Sequence, residues 1–319
     1  MKYHLLGKTG IQVSDLCYGA LPIGPLQADF PVDKAAEIIR YSLEQGVTFI
    51  DTAQRYQTYP HIRKALEGYS RPVIIASKSW AVSYEDMQKA IEEARTSLDR
   101  DTIDIFHLHA ARVGADVFVE RKGALDCLCD AKAKGLIRAI GISTHSVRAV
   151  RMAAEVPEID VVFPLVNLLG IGILDGTRED MVDAIRLAAD KNKGIYLMKI
   201  MAGGHLADRF EDAWNFARTV PGTSSIAVGM LTRAEVDANV ASLEGRPISA
   251  ELRAQIGKKG KKLQVLDMCK GCGACEENCP NHAITVQDGK AVVDPELCIL
   301  CGYCVPHCPQ FALRLITPA

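Results

Sequence analysis

Eight of the eleven cysteines fall within the last 51 residues, in two runs of one pattern. The first run is Cys269, Cys272, Cys275 and Cys279 followed by Pro280, and the second is Cys298, Cys301, Cys304 and Cys308 followed by Pro309. Both read C-x2-C-x2-C-x3-C-P. Thiolates are soft ligands, suited to zinc, copper(I) and iron–sulfur clusters. Three of them spaced by two residues let one tight loop hold three corners of a cube, and the fourth, followed by proline, points away from that cube, as in the ligation of cubane [4Fe–4S] clusters. A zinc site of C-x2-C pairs needs only two pairs and explains neither the third cysteine nor the Cys-Pro ending. A disulfide framework would need an exported chain, which nothing here signals. Of the remaining cysteines, Cys17 lies in an apolar strand-like run and reads as a small core residue. Cys127 and Cys129 are two apart in a helical pattern, so they point to different faces and are not a ligand pair.

The elements around the cysteines are short. Residues 283–293 read as two strands about an Asp288-Gly289 turn, and Phe311-Ala-Leu-Arg-Leu supplies a further strand. Residues 263–319 then form one unit of fewer than 60 residues, too small to bury much core, so metal centres must supply much of its stability. Gly271, Gly273 and Gly302 are expected to allow close backbone approach to a cluster.

The 319-residue chain, 48% hydrophobic, has room for one large domain beside this small one. A formal net charge of −2 gives no reason to expect nucleic acid or a membrane surface as partner. The N-terminus has no signal-like apolar run and no 18-residue apolar span follows, so the expected location is cytoplasmic.

In the larger part, β-branched or apolar runs recur at residues 15–19, 47–51, 73–78, 103–109, 137–143, 161–167, 195–201 and 225–229. Helical patterns lie between them at 33–45, 84–99, 120–134, 177–191 and 232–243, and Gly46, Gly135 and Gly194 are placed as helix stops. Apolar strands alternating with amphipathic helices imply a parallel sheet covered by helices. Eight such units predict an α/β fold, a (β/α)8 TIM barrel, with a small C-terminal α+β domain. An open doubly wound sheet would carry a glycine-rich fingerprint after the first strand, which Gly19 to Gly24 does not match. Barrels place their chemistry at the C-terminal strand ends. Those positions hold Asp51, Lys78, His109, Ser143, Asn167 and Lys199, a polar ring where apolar strands would otherwise supply little.

The C-terminal unit resembles the bacterial two-cluster ferredoxin module. The resemblance implies that Cys269, Cys272, Cys275 and Cys308 hold one [4Fe–4S] cluster, and Cys298, Cys301, Cys304 and Cys279 the other. The segments around Gly10, Gly46 to Tyr56, Ala76 to Lys78, Asp101 to His109, Gly135 to Ser143 and Val228 to Asn239 resemble the aldo-keto reductase superfamily over roughly residues 1–245. Residues 246–262 read as a basic linker or helix before a ferredoxin domain at 263–319. The family's catalytic tetrad carries over as Asp51, Tyr56, Lys78 and His109. A carbonyl receiving hydride gains negative charge on oxygen and needs a proton donor; an ammonium beside a tyrosine favours the deprotonated phenol. In the tetrad Lys78 is expected to play that part, paired by Asp51, while His109 orients the substrate oxygen. His107 reads as structural.

The resemblance also implies nicotinamide contacts at Ser143, Asn167, Gly229 and Asn239. Thr144 stands where the family has asparagine, Phe163 where it has a carboxamide-binding glutamine, and Gly229 and Glu235 where NADPH-preferring members have basic residues. A carboxylate repels a 2′-phosphate, so NAD(P)H is expected without selectivity for that phosphate, and a flavin stays open. The expected function is iron–sulfur oxidoreductase chemistry on a small carbonyl or alcohol, its electrons relayed through two clusters to a carrier such as ferredoxin or flavodoxin. The alternatives are an ordinary NAD(P)H-dependent carbonyl reductase with structural or redox-sensing clusters, and an electron-transfer protein with a non-catalytic barrel. The run Gly257-Lys-Lys-Gly-Lys-Lys262 is a candidate docking site for an acidic carrier.

Overall fold

The computed structural model describes residues 1–111, 113–114, 116–256 and 261–316. A hairpin of β1 (Tyr3–Leu5) and β2 (Gln12–Ser14) comes first. Eight parallel strands follow and close in chain order: β3 (Leu16–Gly19), β4 (Phe49–Asp51), β5 (Ile74–Ser79), β6 (Ile103–His109), β7 (Ile137–Thr144), β8 (Val161–Pro164), β9 (Gly194–Leu197) and β10 (Thr223–Val228), which pairs back to β3. Leu6, just past β1, is fully buried against Gly194 at the start of β9, so the hairpin plugs the N-terminal end. The functional end is the other one.

Helices α1 (Val32–Glu44), α2 (Tyr59–Leu66), α3 (Tyr84–Leu98), α4 (Val117–Glu120), α5 (Lys122–Ala133), α6 (Val147–Glu155), α7 (Arg178–Asp190), α8 (Phe210–Ala217) and α9 (Arg233–Leu243) cover the barrel. Each long helix turns alanine, isoleucine, leucine or methionine inward; α3, for example, buries Met87, Ala90, Ile91, Ala94 and Leu98. Starts are fixed by side-chain caps, Ser83 on α3, Ser146 on α6 and the Thr177–Asp180 capping box on α7. The expected TIM barrel is therefore present. Two strands stop earlier than their apolar runs. β8 ends at Pro164, which lacks a backbone donor, and β9 ends at Leu197, shortly before Lys199 turns into the left-handed region (φ 61°). Asn167 and Lys199 thus sit in loops beyond the strands rather than at strand ends.

The chain continues through α10 (Ala250–Gln255) to β11 (Lys262–Val265), α11 (Ala274–Glu277), β12 (Ile284–Gln287), β13 (Lys290–Val293) and β14 (Leu313–Ile316). Asp288 and Gly289, both with positive φ, turn β12 into β13, and β11 pairs β14. Of the basic linker, residues 257–260 lie outside the described residues, and the docking expectation made for them with it.

The cysteine module sits on the C-terminal mouth of the barrel. A Cβ on Gly302 would lie 2.1 Å from the Leu26 carbonyl oxygen, and one on Gly203, in the loop after β9, 2.1 Å from that of Ile299. Gly302 and Gly271 also admit close protein contacts, Gly271 against the turn at Gly289. Hydrogen bonds complete the seam. His205 Nε2 donates to the Cys298 carbonyl at 2.9 Å, Gln27 Nε2 to that of Leu300 at 3.4 Å, His145 Nδ1 to Asn281 Oδ1 at 2.9 Å and Asn281 Nδ2 to the Gly172 carbonyl at 3.0 Å. Burial holds the His145 imidazole down to about 3, so it is neutral and can give its single proton to Asn281.

Gly302 has φ 82°, so alanine there meets both backbone strain and the Leu26 oxygen. Gly302→Ala is expected to cost about 1–3 kcal/mol and to undock the module. Faster proteolytic release of the C-terminal unit, with the barrel resistant, is the measurement; unchanged proteolysis would contradict this role.

Candidate active site and cysteine centres

β4 and β5 deliver the charged pair. Lys78 Nζ donates to Asp51 Oδ1 at 2.6 Å and to the Thr52 carbonyl at 2.7 Å, and the two side chains are 1% and 5% exposed. Tyr196 on β9 donates from its hydroxyl to Asp51 Oδ2 at 3.0 Å. The His107 proton must then sit on Nε2, 2.6 Å from that hydroxyl, leaving Nδ1 a bare acceptor without a partner. Gly141 on the next strand makes room for the ring, since a Cβ there would lie 2.1 Å from His107 Nδ1. His107 is thus a buried support, as its sequence reading had it.

Tyr56 lies on a 3-10 turn, Gln54–Tyr56, after β4. Ser79 Oγ donates to Gln54 Oε1 at 2.7 Å, and the Thr52 and Thr58 hydroxyls meet at 2.7 Å, fixing the turn from both sides. The Lys78 ammonium lies 4.9 Å from the Tyr56 ring centre, and the His109 ring meets Tyr56 edge-on at 6.1 Å. Arg121 holds the His109 carbonyl at 2.8 Å. Burial, then the neighbouring Tyr303 and Asp51, push the Tyr56 phenol well above its ordinary value. Burial pushes the Lys78 pKa down, against the pull of Asp51. Tyr56 rests as a phenol, the form that gives a proton. Burial, then Lys78, hold the His109 imidazole well below its usual range, so it is neutral.

Three residues at this site carried no sequence signal strong enough to single out. Trp80, two positions past Lys78, packs 5.6 Å from His109 and 5.4 Å from Tyr303. Tyr303 comes from the second cysteine run and lies 6.5 Å from Tyr56 and 6.4 Å from His109. Its hydroxyl is close enough for the two phenols to shift each other, yet it makes no well-formed hydrogen bond. Arg55 stacks 4.3 Å over Trp80 and donates to His307 Nε2 at 3.0 Å. The one available clue was that the second run carries Tyr303 where the first has Ala274.

A cavity of about 330 Å3 runs from Asp51, Tyr56 and Phe163 past Lys199 to Glu235, Asn239 and Lys261, with Gly229 on its wall. Ser143 and Asn167 are not in that lining. The Asn167 side chain is spent on a turn, with Oδ1 accepting from Leu169 and Ile171 and Nδ2 donating to the Ile171 carbonyl. The Asn239 amide bonds Trp214 Nε1 and the Glu235 carbonyl.

Among the motif cysteines, sulfurs of the two runs lie near one another. Cys275 is influenced by Cys269 and Cys308, whereas Cys304 is influenced chiefly by Cys301, Cys279 and Cys298. Cys279 and Cys308 each lie with cysteines of the other run, and Cys272 is exposed beside Gln310. Among the described residues no His, Cys, Asp or Glu groups converge as a single metal ion would need. A small cavity instead separates Cys279, Cys298, Cys301 and Cys304. Burial pushes the Cys301 thiol up to about 11, so its thiolate needs a cationic centre beside it. Backbone N–H groups of Ala283, Ala291 and Ala312 donate to the sulfurs of Cys279, Cys269 and Cys308 at 3.2, 3.4 and 3.2 Å, the bonds that stabilise sulfur-ligated clusters. The donor set and its spacing fit cubane clusters.

Two outcomes follow from this geometry. Lys78→Met strands Asp51 and is expected to cost about 3–5 kcal/mol in urea unfolding, much of it recovered when Asp51→Asn is added. A double variant as unstable as the single one would contradict the pairing. Cys308→Ser and Cys269→Ser are expected to abolish the same cluster signal in electron paramagnetic resonance, and Cys279→Ser and Cys298→Ser the other. Losses sorted by sequence run would reject the crossed arrangement.

Among known proteins, the Aldo/keto reductase family model matches residues 15–222, and a 4Fe-4S dicluster domain matches residues 268–312. The chain is 30% identical over 185 residues to the aldo-keto reductase YhdN of Bacillus subtilis, covering 53% of this chain and 54% of that protein. It is 25% identical over 223 residues to L-galactose dehydrogenase of Arabidopsis thaliana, covering 66% and 68%. The chain thus spans about half the length of the Bacillus relative it matches. In fold, the aldo-keto reductase AKR11C1 of Bacillus halodurans superposes with a TM-score of 0.64 at 22% identity, over 81% of this chain and 96% of that one. The chain belongs to the aldo/keto reductase family and carries a 4Fe–4S dicluster domain at its C-terminal end.

Proposed function

We propose that the protein interconverts a small carbonyl and its alcohol at Tyr56, Lys78, Asp51 and His109, exchanging the electrons through its C-terminal module. The observation that carries this reading is the position of Tyr303, which sits between two cysteines of the second run and also packs against Tyr56, Trp80 and His109. A module with only a structural role would have no need to reach the tetrad. Bound clusters supply one-electron transfer, and two such centres match the two electrons of the reaction in number.

The residues divide the remaining work. The Tyr56 hydroxyl donates its proton to the substrate oxygen. Lys78, fixed by Asp51 and the Thr52 carbonyl, supplies positive charge beside the phenol as it gives up that proton. Neutral His109 donates to the same oxygen and orients it. Trp80 and Tyr303 close the mouth and exclude water, which strengthens each of these interactions. An outside one-electron protein carrier is the expected partner.

Tyr56→Phe keeps the ring and removes the proton. It is expected to lower turnover by about 100-fold or more while both clusters stay loaded by iron content and absorbance. Near-normal turnover in that variant would reject the tetrad.

A further inference from the structure

The cavity beside Tyr56 has a composition that a nicotinamide does not explain. Its volume of about 330 Å3 is at the small end of the roughly 300–1,000 Å3 typical of ligand sites. At its inner end, Phe163 lies stacked on Tyr196 at 3.8 Å and 12°, a backed aromatic platform where the family has an amide. No carboxamide partner remains, because Ser143 lies outside the lining and Asn167 is saturated by its own turn.

Two lysines face the same space, with the Glu235 carboxylate also on its wall and acting on Lys261. Among the described residues neither Lys199 nor Lys261 makes an ion pair, and the Lys261 ammonium is bonded only to Gln27 Oε1, at 2.7 Å. Both are half-buried, and an ammonium partly withdrawn from water favours an anion beside it. Lys199 also keeps a left-handed backbone, the kind of strain that persists at functional sites. It lies between the cavity and the second cysteine group, influenced by Cys301 and Cys298 on one side and by Lys78 and Asp51 on the other. The wall they share is thin, for the loop after β9 touches the Ile299 backbone at Gly203.

We infer that this cavity binds a phosphorylated flavin of the FMN class, with its ring on Phe163 beside Tyr56 and its phosphate toward Lys261. The inference rests on the proposed reaction at Tyr56. Hydride moves two electrons at once and a cluster moves one; flavins take part in both kinds of transfer. The balance closes. The reduced flavin gives a hydride to the carbonyl carbon while Tyr56 gives a proton to its oxygen, forming the C–H and O–H bonds of the alcohol. Two electrons then arrive singly, one from each cluster, and with one proton from solvent they restore the reduced flavin. A second solvent proton restores Tyr56. Alcohol oxidation is the same sequence reversed.

The test is anaerobic titration of the full-length, cluster-loaded protein with FMN, FAD, riboflavin, NADH and NADPH, followed by flavin fluorescence and equilibrium dialysis. FMN is expected to bind one per chain, with both nicotinamides about tenfold weaker or worse. Riboflavin, lacking the phosphate, is expected to bind about tenfold more weakly than FMN, and Lys261→Met to erase that difference with iron content unchanged. Absent FMN binding, or its displacement by lower concentrations of NADH or NADPH, overturns the inference. An unchanged FMN-to-riboflavin ratio in Lys261→Met overturns the phosphate assignment. Tyr56→Phe separates the two readings: it is expected to bind FMN normally but not to exchange electrons with a carbonyl or alcohol substrate. Normal exchange in that variant removes the tetrad and leaves the flavin site standing.

Discussion

The buried pair of Lys78 and Asp51 is the interaction on which the mouth of the barrel depends. Two charges this far from water are sustained by each other and by their hydrogen bonds: Thr52 takes one ammonium proton, and Tyr196 satisfies the second carboxylate oxygen. Tyr196 in turn fixes the His107 tautomer and backs Phe163. One ion pair therefore sets the position of residues on five strands, β4, β5, β6, β8 and β9.

The second constraint is steric and lies at the seam. Gly203 and Gly302 let two backbones touch, and the contact brings Tyr303 to the tetrad. The aromatic enclosure of Tyr56, Trp80, His109 and Tyr303 is therefore shared between a barrel and a module that are far apart in sequence. Polar pins at both ends of the contact, His205 on Cys298 and His145 on Asn281, keep the module from rocking on the apolar surface between them.

Much of this was legible in the chain. Apolar runs alternating with helical patterns give a barrel because parallel strands buried on both faces must be near-continuously apolar, and the β6 run at 103–109 matches its strand at both ends. The polar strand-end residues pointed to the mouth for the same reason, since charges there need a purpose. Asn167 and Lys199 were misplaced because Pro164 and a left-handed backbone end their strands early, and neither effect shows in hydrophobic periodicity. Tyr303 stayed hidden because its role depends on how two domains dock, which no local pattern encodes.

Lys199 draws a different lesson from a single backbone angle. A lysine held at φ 61° costs roughly 1–3 kcal/mol that glycine at the same place would largely avoid. Its burial between cysteine sulfurs and the cavity adds to that cost. On stability alone the position is badly filled, and a screen for thermostable variants would be expected to replace it early. The fold thus gives up stability where the barrel cavity approaches the second cysteine run, and a hardened variant would lose the lysine held there.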